Sequence, residues 1–136
     1  MKKNDVSIAV LIQELDDCIS KFVRLRVADK YGYINCISCG ARVGWRNAHC
    51  AHFKDRTNMA TRFYLPNLAP ACQHCNLFNE DEHLQKWKSK MTDEQLQDLE
   101  TRAKSLMKWT RAELLFEIDF YKTELNKLQQ TNHFIL

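Results

Sequence analysis

The sequence predicts an α+β fold that is mostly helical, with a core of short strands and loops between an N-terminal helix and C-terminal helices. Apolar residues recur at helical spacing near both ends of the chain, over residues 8–23 and 96–128. All three glycines and both prolines fall between Gly32 and Pro70, where this periodicity is lost. Two Cys-x-x-Cys pairs bracket much of the irregular region, and a metal bound by them would order it.

With 136 residues, the chain has the length of one domain. Asn4 or Asp5 is the predicted cap of the first helix, and Gly32 is predicted to end it in a left-handed conformation. We expect three parts within the single domain 1–136: an N-terminal helix over 4–31, the cysteine-containing core over 33–90 and C-terminal helices over 92–128.

Two capping signals predict where the C-terminal helices begin. Residues 92–95 read Thr-Asp-Glu-Gln, and residues 110–113 read Thr-Arg-Ala-Glu. The apolar stripe behind the second signal has alternating spacings of four and three, typical either of a helix face packed in the core or of a dimer seam. Residues 129–136 are expected to form a loose tail. The stripe consists of Leu114, Ile118, Tyr121, Leu125 and Leu128.

No segment indicates export or insertion into a membrane. The short apolar run from Val6 to Ile12 is followed by acidic residues, without a small-residue cleavage site. No apolar run is long enough to cross a bilayer. We therefore expect a cytoplasmic protein with no membrane partner, in a compartment where cysteines bind metals more often than they form disulfides.

The two cysteine pairs predict a structural Zn²⁺ site. Cys36 and Cys39 form one knuckle, and Cys72 and Cys75 form the other, with 32 residues between them. Zinc is bound by four such ligands in a tetrahedron, and one tight turn supplies two of them. The long separation predicts a further structural element between the knuckles. Cys18 lies among apolar residues and is expected to be a core thiol.

Positive charge is concentrated in the middle of the chain. Residues 21–62 contain nine Lys or Arg and two Asp, a net charge of +7, whereas residues 91–136 contain six basic and eight acidic residues. A basic centre flanked by mildly acidic helices favours a polyanion as partner. A solvated surface without a partner would give the same counts.

The residues between and behind the knuckles have the order of a nuclease motif. Residues 49–53 read His-Cys-Ala-His-Phe, and Asn67 and Asn76 follow further along the chain. Two short strands joined by a loop and followed by a helix, with these side chains, form the HNH or ββα-metal constellation. Hydrolysis of a phosphodiester needs a base to activate water and a divalent cation to stabilise the leaving oxygen, and this small unit can hold both.

In these segments the chain resembles the NinG family of lambdoid phages, also called Rap. The shared segments are the first knuckle, Ala-His-Phe, Arg-x-x-Met-Ala-Thr-Arg-Phe, Asn-Leu-x-Pro, Cys-Gln-His-Cys-Asn and the helix over 108–128, so the resemblance covers roughly residues 17–128. It implies a zinc-stapled HNH endonuclease that cleaves branched DNA, such as a Holliday junction, D-loop or flap, in phage recombination. Its compartment would be the cytoplasm of the bacterial host.

The resemblance also implies roles for three residues. His52 would be the general base, and Asn67 would hold the connecting loop through backbone hydrogen bonds. Asn76 would bind the catalytic Mg²⁺ or Mn²⁺ through its amide oxygen. The structural alternatives are a strand histidine with a satisfied hydrogen bond, a turn asparagine and a helix-capping asparagine.

One position departs from the pattern of many HNH enzymes. Ala51 stands directly before the base, where those enzymes carry an acidic or histidine ligand. His49 occupies the position at which the family pattern has an aspartate, and it is the candidate second ligand of the catalytic ion. Imidazole is a poor ligand for Mg²⁺, so Mn²⁺ would suit this site better. Cys50 and Asp55 are rival ligands.

Basic residues near this centre are candidate DNA contacts. Arg56 and Arg62 are expected to bind phosphates, with Lys54 and Arg46 as outer contacts, although each also fits an ordinary surface position. The histidines outside the motif, at positions 74 and 83, are expected at the surface.

Two other functions fit the same residues. A zinc-stapled DNA-binding module that no longer cleaves would explain Ala51, and an HNH nuclease for restriction or packaging would share the frame. For the junction nuclease we expect a homodimer, because a four-way junction needs two matched cuts and the chain has a single His52 centre.

Overall fold

The N-terminal helix begins later than the sequence predicts. The computed structural model describes residues 5–132. Helix α1 spans Ile8–Leu25 and is capped by Ser7, whose hydroxyl oxygen accepts a hydrogen bond from the Val10 N–H at 3.2 Å. Asp5 is therefore not the cap, and Asn4 lies outside the described residues.

The same helix also ends earlier than predicted, because a turn follows it. The Asp29 carboxylate accepts hydrogen bonds from the backbone N–H groups of Tyr31 and Tyr33, at 2.9 and 3.1 Å. Such local side-chain bonds offer the backbone an alternative to the helix. Gly32 has the predicted left-handed conformation, with φ of 83°, but it lies in this turn and does not cap α1.

Two small antiparallel sheets lie within residues 33–71, where the sequence predicts short strands and loops. Strand β1 (Tyr33–Asn35) pairs with β2 (Arg42–Gly44), and the first knuckle lies in the turn between them. Strand β3 (His49–His52) pairs with β4 (Leu68–Ala71), so that His49 lies opposite Ala71. A single 3₁₀ turn over Leu65–Asn67 leads into β4.

Four helices follow the second sheet. Helix α2 (Gln73–Phe78) begins directly behind β4, which completes a β3–β4–α2 unit. Helices α3 (Glu80–Ser89), α4 (Asp93–Ala103) and α5 (Arg111–Asn132) continue the chain. The predicted capping box at Thr92 is confirmed. Helix α5 extends to Asn132, so residues 129–132 are not the loose tail that was expected, and residues 133–136 lie outside the described range.

The larger core, here called the aliphatic core, lies between α1 and α5. Leu11 and Leu15 of α1 and Leu114 and Ile118 of α5 are completely buried in it. The predicted stripe on α5 is therefore a face of the core within one chain, which was one of the two alternatives. The other alternative, a dimer seam along this stripe, has little exposed surface to use, and the homodimer itself stays a prediction.

The smaller core contains the cysteine pairs and is here called the cysteine core. Its buried members are Cys36, Ala51, Ala69, Ala71, Cys72, Cys75 and Trp87. Phe53 packs edge-on against Trp87, with ring centroids 5.4 Å apart. Within residues 5–132, no helix has both the length and the apolar character needed to cross a membrane.

Candidate metal site and adjoining cleft

The two knuckles meet at one point of the cysteine core. The sulfur atoms of Cys36, Cys39, Cys72 and Cys75 all lie within 4.8 Å of one another, and the Cys39 and Cys72 sulfurs are 3.8 Å apart. Zinc–sulfur bonds of about 2.3 Å in a tetrahedron place neighbouring sulfurs about 3.8 Å apart. The four ligands expected from the sequence therefore come together at a separation that fits a Zn²⁺ ion.

The four thiols can all be deprotonated together only if a cation is bound between them. Burial by itself would raise the pKa of Cys36, but backbone N–H donors around its sulfur outweigh that effect and lower the pKa to about 7. Burial raises the pKa of Cys75 to about 12, and shared hydrogen bonds with Cys72 and Cys39 add to it. Thiolates this close repel one another, so all four can lose their protons together only when a cation compensates their charge.

Backbone and lysine groups hold the knuckles in place. The Ser38 N–H donates to the Cys36 sulfur at 3.4 Å, and the Cys75 N–H donates to the Cys72 sulfur at 3.5 Å. The Lys90 ammonium, at the end of α3, donates to the Ile37 carbonyl oxygen and, at 3.4 Å, to that of Ser38. Such outer contacts orient the ligands of a metal site.

His83 lies against the first knuckle, and its predicted surface position is wrong. Its side chain is 3% exposed. Its Nδ1 contacts the Ser38 hydroxyl, which also donates to the His83 carbonyl oxygen at 3.1 Å. Burial lowers the pKa of His83. The spacing of His83 and Trp87 by four residues on α3 was the signal that could have shown this face to be buried.

A cleft of about 560 Å³ opens beside the cysteine core. Its walls come from α1, β3, α2 and the start of α3, together with the loop behind β3. The cleft joins the aliphatic core to the β3–β4–α2 unit. It is lined by Ser20, Arg24, Ala48, His49, Cys50, His52, Phe53, Asp55, Arg56, Asn76, Leu77, Glu80 and Leu84.

Three of the residues predicted for the site lie together in this cleft. His49 at the start of β3 meets Asn76 of α2, with the imidazole Nδ1 3.0 Å from the amide Nδ2. His52 lines the same cleft. Burial lowers the pKa of His52, and the Arg56 cation lowers it further, whereas Asp16 and a hydrogen bond with the Arg62 backbone oppose the shift. His52 is therefore neutral at neutral pH.

Asn67 lies behind the cleft and is completely buried. Its Oδ1 accepts a hydrogen bond from the Lys54 N–H at 2.7 Å. Its Nδ2 donates to the carbonyl oxygens of Lys54 and Thr61, both at 3.1 Å. One side chain at the end of the loop between β3 and β4 thus bonds to its start, at Lys54, and to Thr61 further along it.

The four predicted DNA contacts occupy different surroundings. Arg56 is exposed and lines the cleft. Arg62 forms a partly buried ion pair with Asp16, with its Nε 3.1 Å from Oδ1. Lys54 pairs with Glu100. Arg46 stacks over the Trp45 ring, 4.6 Å from its centroid, and does not line the cleft.

The surroundings of the residues next to His52 distinguish the rival candidates for a metal ligand. Ala51 is 1% exposed in the cysteine core. Cys50 and Asp55 line the cleft, but one Asp55 oxygen accepts the Thr57 N–H at 2.8 Å, and burial raises the pKa of Cys50 to about 12. Two other lining residues, Arg24 and Glu80, were not predicted. They come from α1 and α3, outside the motif, and no spacing rule relates them to it.

The fold and the four-sulfur site define a small α+β protein with a cysteine metal site next to a cleft that contains histidine and asparagine. The family model described as Bacteriophage Lambda NinG protein matches residues 2–131, so the chain belongs to the NinG family. This match confirms the family resemblance of the motif segments. Comparisons with curated proteins and with solved structures give no significant match.

Proposed function

We propose that this NinG-family protein is a metal-dependent HNH endonuclease that cleaves branched DNA in phage recombination. The observation that carries the proposal is the convergence of His49, His52 and Asn76 in one cleft of the β3–β4–α2 unit. A strand histidine and a helix asparagine in that arrangement suit the hydrolysis of a phosphodiester. Membership of the family and the basic middle of the chain support DNA as the substrate.

His52 is the proposed general base. Because burial lowers its pKa, its imidazole is neutral and able to take a proton at neutral pH. His52 removes a proton from a water molecule, whose oxygen attacks the phosphorus atom. The bond from phosphorus to the 3′ oxygen breaks, and this oxygen takes a proton from solvent, which leaves a 5′-phosphate and a 3′-hydroxyl.

His49 and Asn76 are the proposed ligands of a divalent cation, Mg²⁺ or Mn²⁺. A half-turn of the Asn76 amide exchanges Nδ2 and Oδ1, and then an amide oxygen and the imidazole Nδ1 offer lone pairs to the same point. A cation bound there supplies positive charge to the leaving oxygen. Asn67 keeps the loop behind His52 in one conformation through its three backbone hydrogen bonds.

The test is incubation of the purified protein with Holliday-junction, flap, D-loop and linear duplex DNA, with Mg²⁺, Mn²⁺ or EDTA. We expect cleavage of a branched substrate that needs the added ion, with zinc content unchanged by the EDTA treatment. His52→Ala should lose about 10²- to 10⁴-fold in rate while it keeps zinc and DNA affinity. The control is His74→Ala, since His74 is exposed outside the cleft and its ring nitrogen bonds to the Asn79 side chain.

Binding of branched DNA without cleavage under any of these ions would favour the alternative of a non-catalytic zinc-stapled DNA-binding module. The buried Ala51 is the observation behind that alternative, because it supplies no metal ligand. Preferential cleavage of linear duplex would instead indicate restriction or packaging.

The second proposed ligand has its own test. His49→Asp should shift the preference from Mn²⁺ toward Mg²⁺, because carboxylate oxygen suits Mg²⁺ better than imidazole does. An unchanged preference would remove His49 from the metal site.

A homodimer remains a prediction for this function. Two matched cuts in a four-way junction need two centres, and a two-fold dimer supplies them symmetrically. Since the stripe on α5 is buried, the contact would have to use other surfaces. Light scattering, with and without junction DNA, measures the mass, and a monomer in both samples would leave single-strand nicking as the activity.

A further inference from the structure

One arginine in the cleft belongs to neither the motif nor the predicted DNA contacts. Arg24 lies near the end of α1, in the wall that faces β3. Its chain position is 28 residues before His52, ahead of both knuckles. The tertiary structure alone brings its guanidinium to the cavity that contains the proposed base.

The guanidinium of Arg24 is fixed by backbone oxygens. Its Nε donates to the Ser20 carbonyl oxygen at 3.0 Å, and its Nη1 donates to those of Trp45 at 2.8 Å and Ala48 at 3.4 Å. The Trp45 ring lies against the same group, with its centroid 5.4 Å from the guanidinium carbon. A guanidinium held in this way loses little entropy when it binds a ligand.

The charge of Arg24 has no ion-pair partner among the described residues, although Asp55 and Glu80 line the same cleft. By contrast, Arg62, the other half-buried arginine near the cleft, is paired with Asp16. Burial lowers the pKa of Arg24, because desolvation disfavours the cation. A desolvated charge without a partner is costly, and an anion that enters the cleft would remove this cost.

The remaining donors of Arg24 are available to such an anion. Neither N–H of Nη2 has an acceptor among the described residues, and the atom is not sealed from solvent. Arg56 lines the same cleft but is exposed, so its cation attracts an anion without holding it in one position. Arg24 therefore offers the rigid half of a binding site for a phosphate oxygen.

We propose that Arg24 binds a non-bridging oxygen of the phosphodiester on which His52 acts, through Nη2. This inference rests on the proposed nuclease function. Arg24 would hold the phosphate against the base and compensate the charge that develops on it as water attacks. The residue also ties α1 to the loop before β3, so its test must separate phosphate binding from this structural role.

The test is a double-mutant cycle that combines a substitution in the protein with a chemical change in the DNA. The cut position is first mapped with wild-type protein, and an oligonucleotide is made with one neutral methylphosphonate at that linkage. Affinity for both DNAs is measured in the His52→Ala background, which prevents cleavage, with and without Arg24→Gln. The control is Arg42→Gln. Arg42 is an exposed arginine on β2 that pairs with Asp29 and lies away from the cleft.

We expect Arg24→Gln to weaken binding of normal DNA by roughly 10- to 100-fold, the effect of a hydrogen bond to a charged group. It should weaken binding of the methylphosphonate DNA by less than about threefold, since the charge it contacts is already absent. Arg42→Gln should affect both DNAs equally. Equal losses for both DNAs with Arg24→Gln would overturn the inference and leave Arg24 a structural role.

A measurement on the unaltered chain covers the case in which Arg24→Gln does not fold. Phenylglyoxal modifies accessible arginines, and mass spectrometry maps the sites. DNA with the normal linkage should protect Arg24 at least threefold more than the methylphosphonate DNA, and equal protection would also overturn the inference. If the wild-type protein neither binds nor cuts branched DNA, the proposed nuclease function fails, whereas cleavage without these Arg24 effects rejects only the role of Arg24.

Discussion

The aliphatic core and the cysteine core contain side chains of different size and chemistry. The aliphatic core buries large side chains of α1 and α5, among them Leu11, Leu15, Leu114 and Ile118. The cysteine core consists of three cysteines and three alanines around Trp87. Large aliphatic side chains contribute about 1.5–3 kcal/mol each on burial, whereas alanines contribute much less. Packing can therefore hold the first region, whereas we expect the second to depend on a metal bound by its four cysteines.

The cleft lies where these two regions meet. One wall comes from α1, which the aliphatic core fixes, and the opposite wall comes from β3 and α2, which the cysteine core supports. The relative position of the walls thus depends on both kinds of stabilisation. A change in either core should reach the cleft, but by different routes and with different magnitudes.

The largest expected effect is loss of the metal. Cys72→Ser should abolish zinc binding and unfold the β3–β4–α2 unit, while the helical signal of α1 and α5 persists. Zinc binding in zinc-finger peptides contributes about 10–16 kcal/mol. Metal analysis measures the bound zinc, circular dichroism the helical signal, and hydrogen exchange the unfolding of the β3–β4–α2 unit. Cys18→Ser is the control, because Cys18 is buried in the aliphatic core. This variant should still bind one zinc. Intact fold and zinc content in Cys72→Ser would contradict the comparison.

A cavity in the aliphatic core should act on the whole molecule without releasing zinc. Ile118 is completely buried, and Ile118→Ala should reduce the free energy of unfolding by about 2–5 kcal/mol. Denaturant titration measures this change. Phe116→Ala is the matched control on the same helix, since Phe116 is 70% exposed. If zinc content fell in parallel with stability under native conditions, the two cores would not be separable.

The stability of the loop between β3 and β4 should depend on the buried side-chain amide of Asn67. Asn67→Ala leaves the N–H of Lys54 without its acceptor, and we expect a loss of about 1–3 kcal/mol. The proposed cleavage should fall as well, because His52 would lose its fixed loop. Asn79→Ala, which removes only an exposed bond to His74, should change neither quantity. Hydrogen exchange of residues 54–61 no faster than in the wild type would argue against this role.

The smallest expected effect concerns pH. The proposed base works only when neutral, and burial followed by the Arg56 cation lowers the pKa of His52. Activity should therefore persist below the ordinary histidine pKa of about 6.5 and fall as the pH drops through the lower folded value. Stability should decline as the pH drops from about 6.5 to that lower folded value, since the unfolded chain takes up this proton first.

Removal of the Arg56 cation checks its share of the His52 pKa shift, to which burial and the Arg62 cation also contribute. Arg56→Gln should raise the pKa of His52 and move the acid limb of the pH–rate profile to higher pH. Arg42→Gln, which alters an exposed cation away from the cleft, is the control. An acid limb that does not move in Arg56→Gln would rule out Arg56 as a cause of the lowered His52 pKa.

The sequence by itself determined the local features. Apolar spacing predicted α1 and α5, the Thr92 signal predicted the start of α4, and the two knuckles predicted the four sulfurs that meet. These features depend on residues close in the chain, where helix period, hydrogen-bonding caps and tight turns act over a few positions. The order of histidine and asparagine residues likewise predicted three side chains that share the cleft.

Only the tertiary structure decided which distant groups meet. It turned the α5 stripe inward against α1, buried His83 against the first knuckle, paired Arg62 with Asp16 and brought Arg24 into the cleft. No periodicity relates residues so far apart, because their contacts depend on how helix faces and sheets pack in space. An arginine in a sequence carries the same charge whether the fold pairs it with a carboxylate, as Arg62, or places it in the wall of a cleft, as Arg24, and packing alone determines which of the two occurs.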